Sequence, residues 1–179
     1  MLSILKNVFV SRDTNAKKGD YGRVLVIGGS KVYTGAPALS ALSALSCGCD
    51  ISVIAAPKRA ADICATFSPN LITYPLDGDF IEEKHLNEIK PLIDKADAIV
   101  IGPGLGREEK TKKAIIKLLE IIKKPTVIDA DAIAAVKLNK KILKGKPFVI
   151  TPHRGEFKEL AEKEASKETT LELAKNLGC

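Results

Sequence analysis

Short apolar runs alternate along the chain with longer segments in which apolar residues recur every three or four positions. The short runs predict β-strands, and the periodic segments predict helices that bury one face. Such an alternation indicates an α/β fold with a mainly parallel sheet and helices on both faces, a three-layer αβα sandwich. The predicted strands are 23–27, 51–55, 71–74, 98–101, 126–128 and 148–150, and the predicted helices are 38–47, 58–66, 82–95, 110–123, 131–138, 155–163 and 169–177.

The length of 179 residues is that of one domain or a large part of one. Residues 1–22 are polar and mixed, and we expect them to form an N-terminal arm. The final helix, 169–177, is predicted to stop at Gly178 and should feed another strand where Cys179 stands. We therefore expect residues 1–179 to form a single, partial domain whose topology is interrupted at the C-terminus.

Composition narrows the class of protein. The net charge is +6, but the basic residues are interleaved with acidic ones and aromatics make up 4%, so nucleic-acid binding is not expected. No apolar run is long enough for a membrane span, and we expect a cytoplasmic protein. The spacing of the four cysteines does not suggest a metal site, and we expect one of Cys47 and Cys49 to be buried and the other half-buried.

Glycines follow the first predicted strand. Gly28, Gly29 and Ser30 either bring the backbone close to a ligand, with amides exposed to an anion, or form a tight turn. Their spacing differs from the dinucleotide fingerprint G-x-G-x-x-G. Residues 34–37 (Thr-Gly-Ala-Pro) open the next helix, whose free amides are suited to a polar or anionic group.

A denser glycine loop follows the strand at 98–101. Residues 102–106 read Gly-Pro-Gly-Leu-Gly. Three glycines cost conformational entropy on folding, which favours a loop that faces a ligand over an ordinary turn.

Two carboxylates follow the strand at 126–128. Asp129 and Asp131 are suited to bind a magnesium ion, directly or through water. Alternatively, Asp131 is the N-cap of the next helix.

The last cluster lies at 151–156, Thr-Pro-His-Arg-Gly-Glu. His153 is a candidate for ligand binding or proton transfer, whereas Glu156 either joins the site or complements the helix dipole. The other histidine, His85, lies early in an amphipathic helix and is expected at the surface. All four loops follow strands, so a parallel sheet would bring them to one edge, where ligands bind.

The combination of these motifs, in this order, resembles the ATP- or ADP-dependent NAD(P)H-hydrate dehydratases of the ribokinase-like superfamily. The resemblance runs from about residue 17 to residue 177. It rests on Gly-Gly-Ser with Tyr-Thr-Gly-Ala-Pro, Gly-Pro-Gly-Leu-Gly, Asp-Ala-Asp-Ala and Thr-Pro-His-x-Gly-Glu.

The resemblance implies an enzyme that repairs NADH or NADPH hydrated on the nicotinamide ring. A nucleotide, ATP or ADP, phosphorylates the added hydroxyl, and elimination of phosphate restores the cofactor. The resemblance also implies roles for individual residues. Substrate would be bound by Gly35, Ala36, Pro37, Gly104, Gly106, His153 and Glu156, and the phosphates or Mg²⁺ would lie near Gly28, Gly29, Ser30, Asp129 and Asp131.

Family members continue with a Lys-Gly segment and a Gly-Thr-Gly-Asp motif that supplies the catalytic base and an anion hole; neither occurs in this sequence. We therefore expect no catalytic residue in this chain and no turnover by the chain alone. Epimerisation of the substrate would need a separate NAD(P)H-hydrate epimerase. An exposed sheet edge at the C-terminal side favours a homo-oligomer. Two other functions stay open: a ribokinase-like kinase for a vitamin precursor or sugar, and a non-catalytic nucleotide-binding module.

Overall fold

Six parallel strands form one sheet in the computed structural model, which describes residues 11–178. Each pair of neighbouring strands runs parallel, in the order β3-β2-β1-β4-β5-β6. The α/β prediction is confirmed. The strands are β1 (Arg23–Ile27), β2 (Ile51–Pro57), β3 (Ile72–Leu76), β4 (Ala98–Ile101), β5 (Thr126–Ile128) and β6 (Phe148–Ile150).

Helices connect the strands. The predicted helix at 82–95 divides into a 3₁₀ turn, Glu83–His85, and an α-helix, and a second 3₁₀ turn spans Lys140–Leu143. Within residues 11–178, every helix is too short or too polar to cross a bilayer. The α-helices are α1 (Ala36–Ser46), α2 (Lys58–Thr66), α3 (Leu86–Lys95), α4 (Glu109–Ile121), α5 (Asp131–Val136), α6 (Arg154–Ala161) and α7 (Lys167–Leu177).

Both faces of the sheet are buried, which explains the nearly continuous apolar character of its strands. Successive side chains of a strand point to opposite faces. Leu25 and Ile27 of β1 accordingly join a large core cluster, whereas Val26 joins a smaller one with residues of α1 and α2. Helix, sheet and helix are therefore the three layers that the sequence predicts.

The order of the strands reverses at β1. The chain runs outward from β1 through β2 to β3, and then crosses back to place β4 on the other side of β1. The connections that leave β1 and β4 therefore diverge, and a crevice opens between them at the carboxyl ends of these strands.

The part of the N-terminal arm that the structure describes is made of turns, and residues 1–10 of the predicted arm lie outside the described residues. Asp50 holds this part in place, since its carboxylate accepts the amide hydrogens of Gly19 and Tyr21 at 2.9 and 3.0 Å. The prediction of one half-buried thiol is confirmed at Cys49, but the prediction of a buried one was wrong, because Cys47 is exposed. The reason is that α1 ends at Ser46, so that Cys47 lies beyond the packed face of the helix.

Candidate substrate site

The loops that follow β1, β4 and β5 contact one another through their backbones. A Cβ atom on Gly28 would lie 2.3 Å from the carbonyl oxygen of Pro103. A Cβ atom on Gly102, whose φ is +132°, would lie 1.7 Å from the carbonyl oxygen of Asp129. No side chain fits at either position, so these glycines are required by packing between loops. Packing between loops thus explains two of these glycines. The sequence interpretation considered only a ligand-facing loop or an ordinary turn.

The amides of residues 28–30 are all used within the protein. The N–H groups of Gly28, Gly29 and Ser30 donate to the carbonyl oxygens of Ala55, Pro103 and Tyr33, at 3.2, 2.8 and 3.1 Å respectively. These amides are therefore not exposed to an anion, as the first interpretation of this loop required. In this structure the segment is a framework that supports its neighbours.

Other amides of the crevice are free. Helix α1 begins at Ala36 with Pro37 in its second position, and no side chain caps it. Among the described residues, the amides of Gly35, Ala36 and Gly104 have no hydrogen-bond acceptor. The two segments lie together, because a Cβ atom on Gly104 would be 3.4 Å from the Cβ of Ala36. Free amides at the N-terminus of a helix attract carbonyl oxygens and anions.

Gly106 and Asp131 form a further link between two loops. The carboxylate of Asp131 accepts the amide hydrogen of Gly106 at 2.9 Å and faces Arg107 Nε at 3.4 Å. The interpretation of Asp131 as an N-cap was wrong. Ala130 is the N-cap residue of α5, with a φ of +49°, and the Asp131 side chain reaches across to the glycine loop.

Asp129 is the better placed of the two predicted metal ligands. Its Oδ1 atom accepts a hydrogen bond from Thr151 Oγ1 at 2.6 Å, and its other oxygen has no partner among the described residues. Asp131, by contrast, already accepts the amide hydrogen of Gly106 and lies 3.4 Å from Arg107 Nε. Residues 11–178 contain no group of three or more side chains that could hold a metal ion by themselves. The donor set therefore fits Mg²⁺ only where phosphate oxygens complete the coordination.

His153 is the N-cap of α6. Its Nδ1 atom accepts the amide hydrogens of Gly155 and Glu156 at 3.0 and 3.3 Å. Glu156 in turn accepts the amide hydrogen of His153 at 2.9 Å, and its other oxygen lies 3.3 Å from His153 Nε2. This is a reciprocal capping box. Both ring nitrogens thus have partners within the loop, although the ring itself is exposed.

The His153 loop lies apart from the free amides. It follows β6, which is two strands from β4 and hence about 10 Å away at the usual spacing. A ligand that contacts Gly104 and His153 together must therefore extend over the end of β5. This span suits a long molecule more than a small one.

His85 is not at the surface, as the sequence predicted, but 1% exposed. Its Nδ1 atom accepts the amide hydrogen of Glu82 at 3.0 Å, and its Nε2 atom lies 2.7 Å from the carbonyl oxygen of Asp77. The ring therefore closes the loop 77–82 that follows β3. The prediction failed because His85 belongs to the 3₁₀ turn, where it faces this loop and not the solvent.

Two aromatic residues at the glycine loop were missed. Tyr33 lies against Gly104, and Phe80 lies against Gly106. Phe80 belongs to the loop 77–82, which follows a strand of the same parallel sheet and so reaches the same edge. The sequence analysis grouped loops that follow parallel strands. The same reasoning applied to β3 would have added Phe80.

The architecture defines the class of protein. A ribokinase-like superfamily protein from Enterococcus faecalis superposes with a TM-score of 0.82 at 22% identity, over 98% of this chain and 62% of that chain. At that identity the likeness establishes a ribokinase-like fold.

The sequence comparisons define the family. A family model described as NAD(P)H-hydrate dehydratase matches residues 24–178, and the chain belongs to that family. The bifunctional NAD(P)H-hydrate repair enzyme of Pyrobaculum aerophilum is 42% identical over 92% of this chain. The ATP-dependent (S)-NAD(P)H-hydrate dehydratase of Drosophila melanogaster is 39% identical over 89% of it. The chain spans 32% of the length of the first relative and 54% of the second.

Proposed function

We propose that this chain forms the substrate side of an NAD(P)H-hydrate dehydratase, a carbon–oxygen lyase that converts hydrated NADH or NADPH back to the working cofactor. The observation that carries the proposal is the convergence of the free amides of Gly35, Ala36 and Gly104. These are residues to which the family resemblance assigns the substrate.

The reaction proposed for the enzyme removes the hydroxyl that hydration added to the nicotinamide ring. The hydroxyl gives up its proton, and its oxygen takes the terminal phosphoryl group of ATP or ADP, which leaves as ADP or AMP. The ring then loses phosphate from one carbon and a proton from the next, which restores the double bond. The contribution of the present residues is to bind and orient the ring, because amides fixed in the fold hold an oxygen of the substrate without further ordering.

The nucleotide is the second reactant, and we propose ATP or ADP in this role. The name of the Drosophila relative, which specifies ATP, supports the choice of a nucleotide. A Mg²⁺ ion bound to its phosphates would take the free oxygen of Asp129 as a carboxylate ligand and would offset phosphate charge. Asp131 would support this arrangement from a distance through Gly106 and Arg107.

The enzyme also has an expected location, oligomeric state and partner activity. We propose a cytoplasmic homo-oligomer that works together with an NAD(P)H-hydrate epimerase activity. The Pyrobaculum relative is named a bifunctional repair enzyme, which supports a second repair activity acting with the dehydratase. We predict that this chain binds the hydrated cofactor through the free amides of the crevice.

Isothermal titration of the 179-residue chain with hydrated NADH tests the proposal. We expect saturable binding with one site per chain. A parallel titration with a hydroxymethyl vitamin precursor tests the kinase alternative. Binding of the precursor with no binding of hydrated NADH would replace the dehydratase proposal with the kinase.

A further inference from the structure

Two aromatic residues lie beside the glycine loop at neighbouring points. A Cβ atom on Gly104 would lie 3.0 Å from the Cβ of Tyr33, and one on Gly106 would lie 3.6 Å from Cε1 of Phe80. Gly104 and Gly106 are two residues apart, so that the two contacts are within about 7 Å of one another along the chain. The first of these two residues, Gly104, also carries a free amide.

Aromatic residues are scarce in this protein, which has three tyrosines, five phenylalanines and no tryptophan. Tyr33 nevertheless keeps 57% of its surface exposed. A single exposed tyrosine needs no explanation. Two aromatic residues at one loop, beside free amides, form the usual composition of a small-molecule site: apolar walls with a few fixed polar groups.

The backbone around Tyr33 is fixed by Ser30, which is 1% exposed. Ser30 Oγ accepts the amide hydrogen of Tyr33 at 3.2 Å, and the amide of Ser30 donates to the carbonyl oxygen of Tyr33 at 3.1 Å. The turn that carries Tyr33 is therefore closed from both sides before any ligand binds.

The loop of Phe80 is fixed in a similar way. The amide of Lys31 donates to the carbonyl oxygen of Asp79 at 2.7 Å, and the Lys31 ammonium lies 2.9 Å from the Asp79 carboxylate. The buried His85 closes the same loop through Asp77 and Glu82. Loops whose backbone is ordered in advance lose less entropy on binding, so contacts made from them contribute more to affinity.

We propose that Tyr33 and Phe80 recognise the hydrated nicotinamide ring of the substrate, with Tyr33 stacked on the ring and Phe80 closing the side next to Gly106. The inference rests on the proposed function, since that function supplies the ligand. The hydrated ring keeps a flat, conjugated segment between its nitrogen and its carboxamide. Aromatic faces stack on such segments, and the free amides lie close enough to bind the carboxamide oxygen.

Titration of the full 179-residue chain and of single variants tests the assignment. Tyr33→Leu and Phe80→Leu remove the aromatic ring but keep an apolar side chain. Each should weaken the binding of hydrated NADH about tenfold, the size of one aromatic stack. Tyr33→Phe keeps the ring and should bind like the parent. ADP-ribose, which matches the ligand without its nicotinamide, should bind equally to all variants.

The outcomes separate the two proposals. If the parent chain binds hydrated NADH and both leucine variants bind it equally well, the aromatic assignment is wrong and the proposed function stands. If the leucine variants lose affinity for ADP-ribose to the same extent, the residues do not recognise the ring. If the parent chain binds no hydrated NADH, both proposals fail. Circular dichroism checks that each variant folds. If Phe80→Leu does not fold, the test rests on Tyr33→Leu, since Tyr33 is exposed.

Discussion

Asp131 accepts the amide hydrogen of Gly106 across 2.9 Å, and this bond joins the first turn of α5 to the end of the glycine loop. Its neighbour Asp129 instead binds Thr151 and keeps one oxygen free. The two carboxylates of one short motif thus have different environments. The structure favours a supporting role for Asp131, and Asp129 remains the proposed metal ligand.

Replacing Asp131 by alanine should destabilise the chain by about 1–3 kcal/mol, because Gly106 loses a charged acceptor. Asp131→Asn keeps an oxygen acceptor and should lose less. Urea unfolding without metal measures both variants. Were Asp131 chiefly a metal ligand, Asp131→Ala would be as stable as the parent without metal, and only stabilisation by Mg²⁺ with nucleotide would be lost.

Gly104 and Gly145 offer a matched pair of substitutions. Their φ angles are +71° and +74°, so alanine adds similar backbone strain of about 1 kcal/mol at each. The added Cβ atom at Gly104 meets Tyr33 at 3.0 Å, whereas at Gly145 nothing lies within 4 Å. We expect Gly104→Ala to weaken binding of hydrated NADH about tenfold, which corresponds to about 1.4 kcal/mol.

Gly145→Ala should carry the backbone strain alone and keep the affinity of the parent, because Gly145 precedes β6 and so lies at the amino ends of the strands, away from the crevice. Calorimetric titration and thermal unfolding of both variants separate the two effects. Equal loss of affinity in the two variants would show that general strain, and not the crevice, governs binding.

His85 should contribute more to stability than its exposed neighbour. His85→Ala leaves the amide of Glu82 without its acceptor and opens the loop 77–82, and we expect a cost of about 1–3 kcal/mol. Lys84→Ala removes only an exposed ion pair with Asp77 and should change stability by less than about 0.5 kcal/mol. Urea unfolding compares the two. Similar small changes in both would contradict the role of His85 in closing the loop.

Asp50 should make the stability of the chain depend on pH. Hydrogen bonds from the amides of Tyr21 and Gly19, together with the Arg12 guanidinium, lower the pKa of its carboxyl group. A lowered pKa in the folded state stabilises the fold above the ordinary carboxyl pKa, about 4, and this stabilisation disappears as pH falls through the folded value.

Asp50→Asn removes this titration. Thermal unfolding should therefore show the parent more stable than the variant near pH 6, with the difference shrinking steadily in acid. A difference that is constant down to pH 2 would mean that the charge of Asp50 contributes nothing to holding the arm.

Local signals were sufficient for much of the fold. The strands at 98–101, 126–128 and 148–150 and the helix at 58–66 lie where the sequence predicts them. Each of these elements is an apolar run or a periodic segment that has Pro, Gly or charged residues at its ends. The meeting of the loops at one edge followed from the parallel sheet alone.

Long-range pairing could not be predicted in this way. Which amides are free depends on contacts between segments far apart in sequence, such as Gly28 with Ala55 and Gly106 with Asp131. The burial of His85 likewise depends on a loop that folds back over it. The motifs thus predicted a candidate site, but not which of its donors remain available to a ligand.

Amide NMR of the ¹⁵N-labelled chain during titration with hydrated NADH tests the central claim most directly. We predict that the resonances of Gly35, Ala36 and Gly104 shift most, because their N–H groups are free to bind the ligand. The amides of Gly28 and Gly29, which are already bonded, should shift little. Saturable shifts centred on Gly28 and Gly29, or no shifts at Gly35, Ala36 and Gly104, would contradict this prediction.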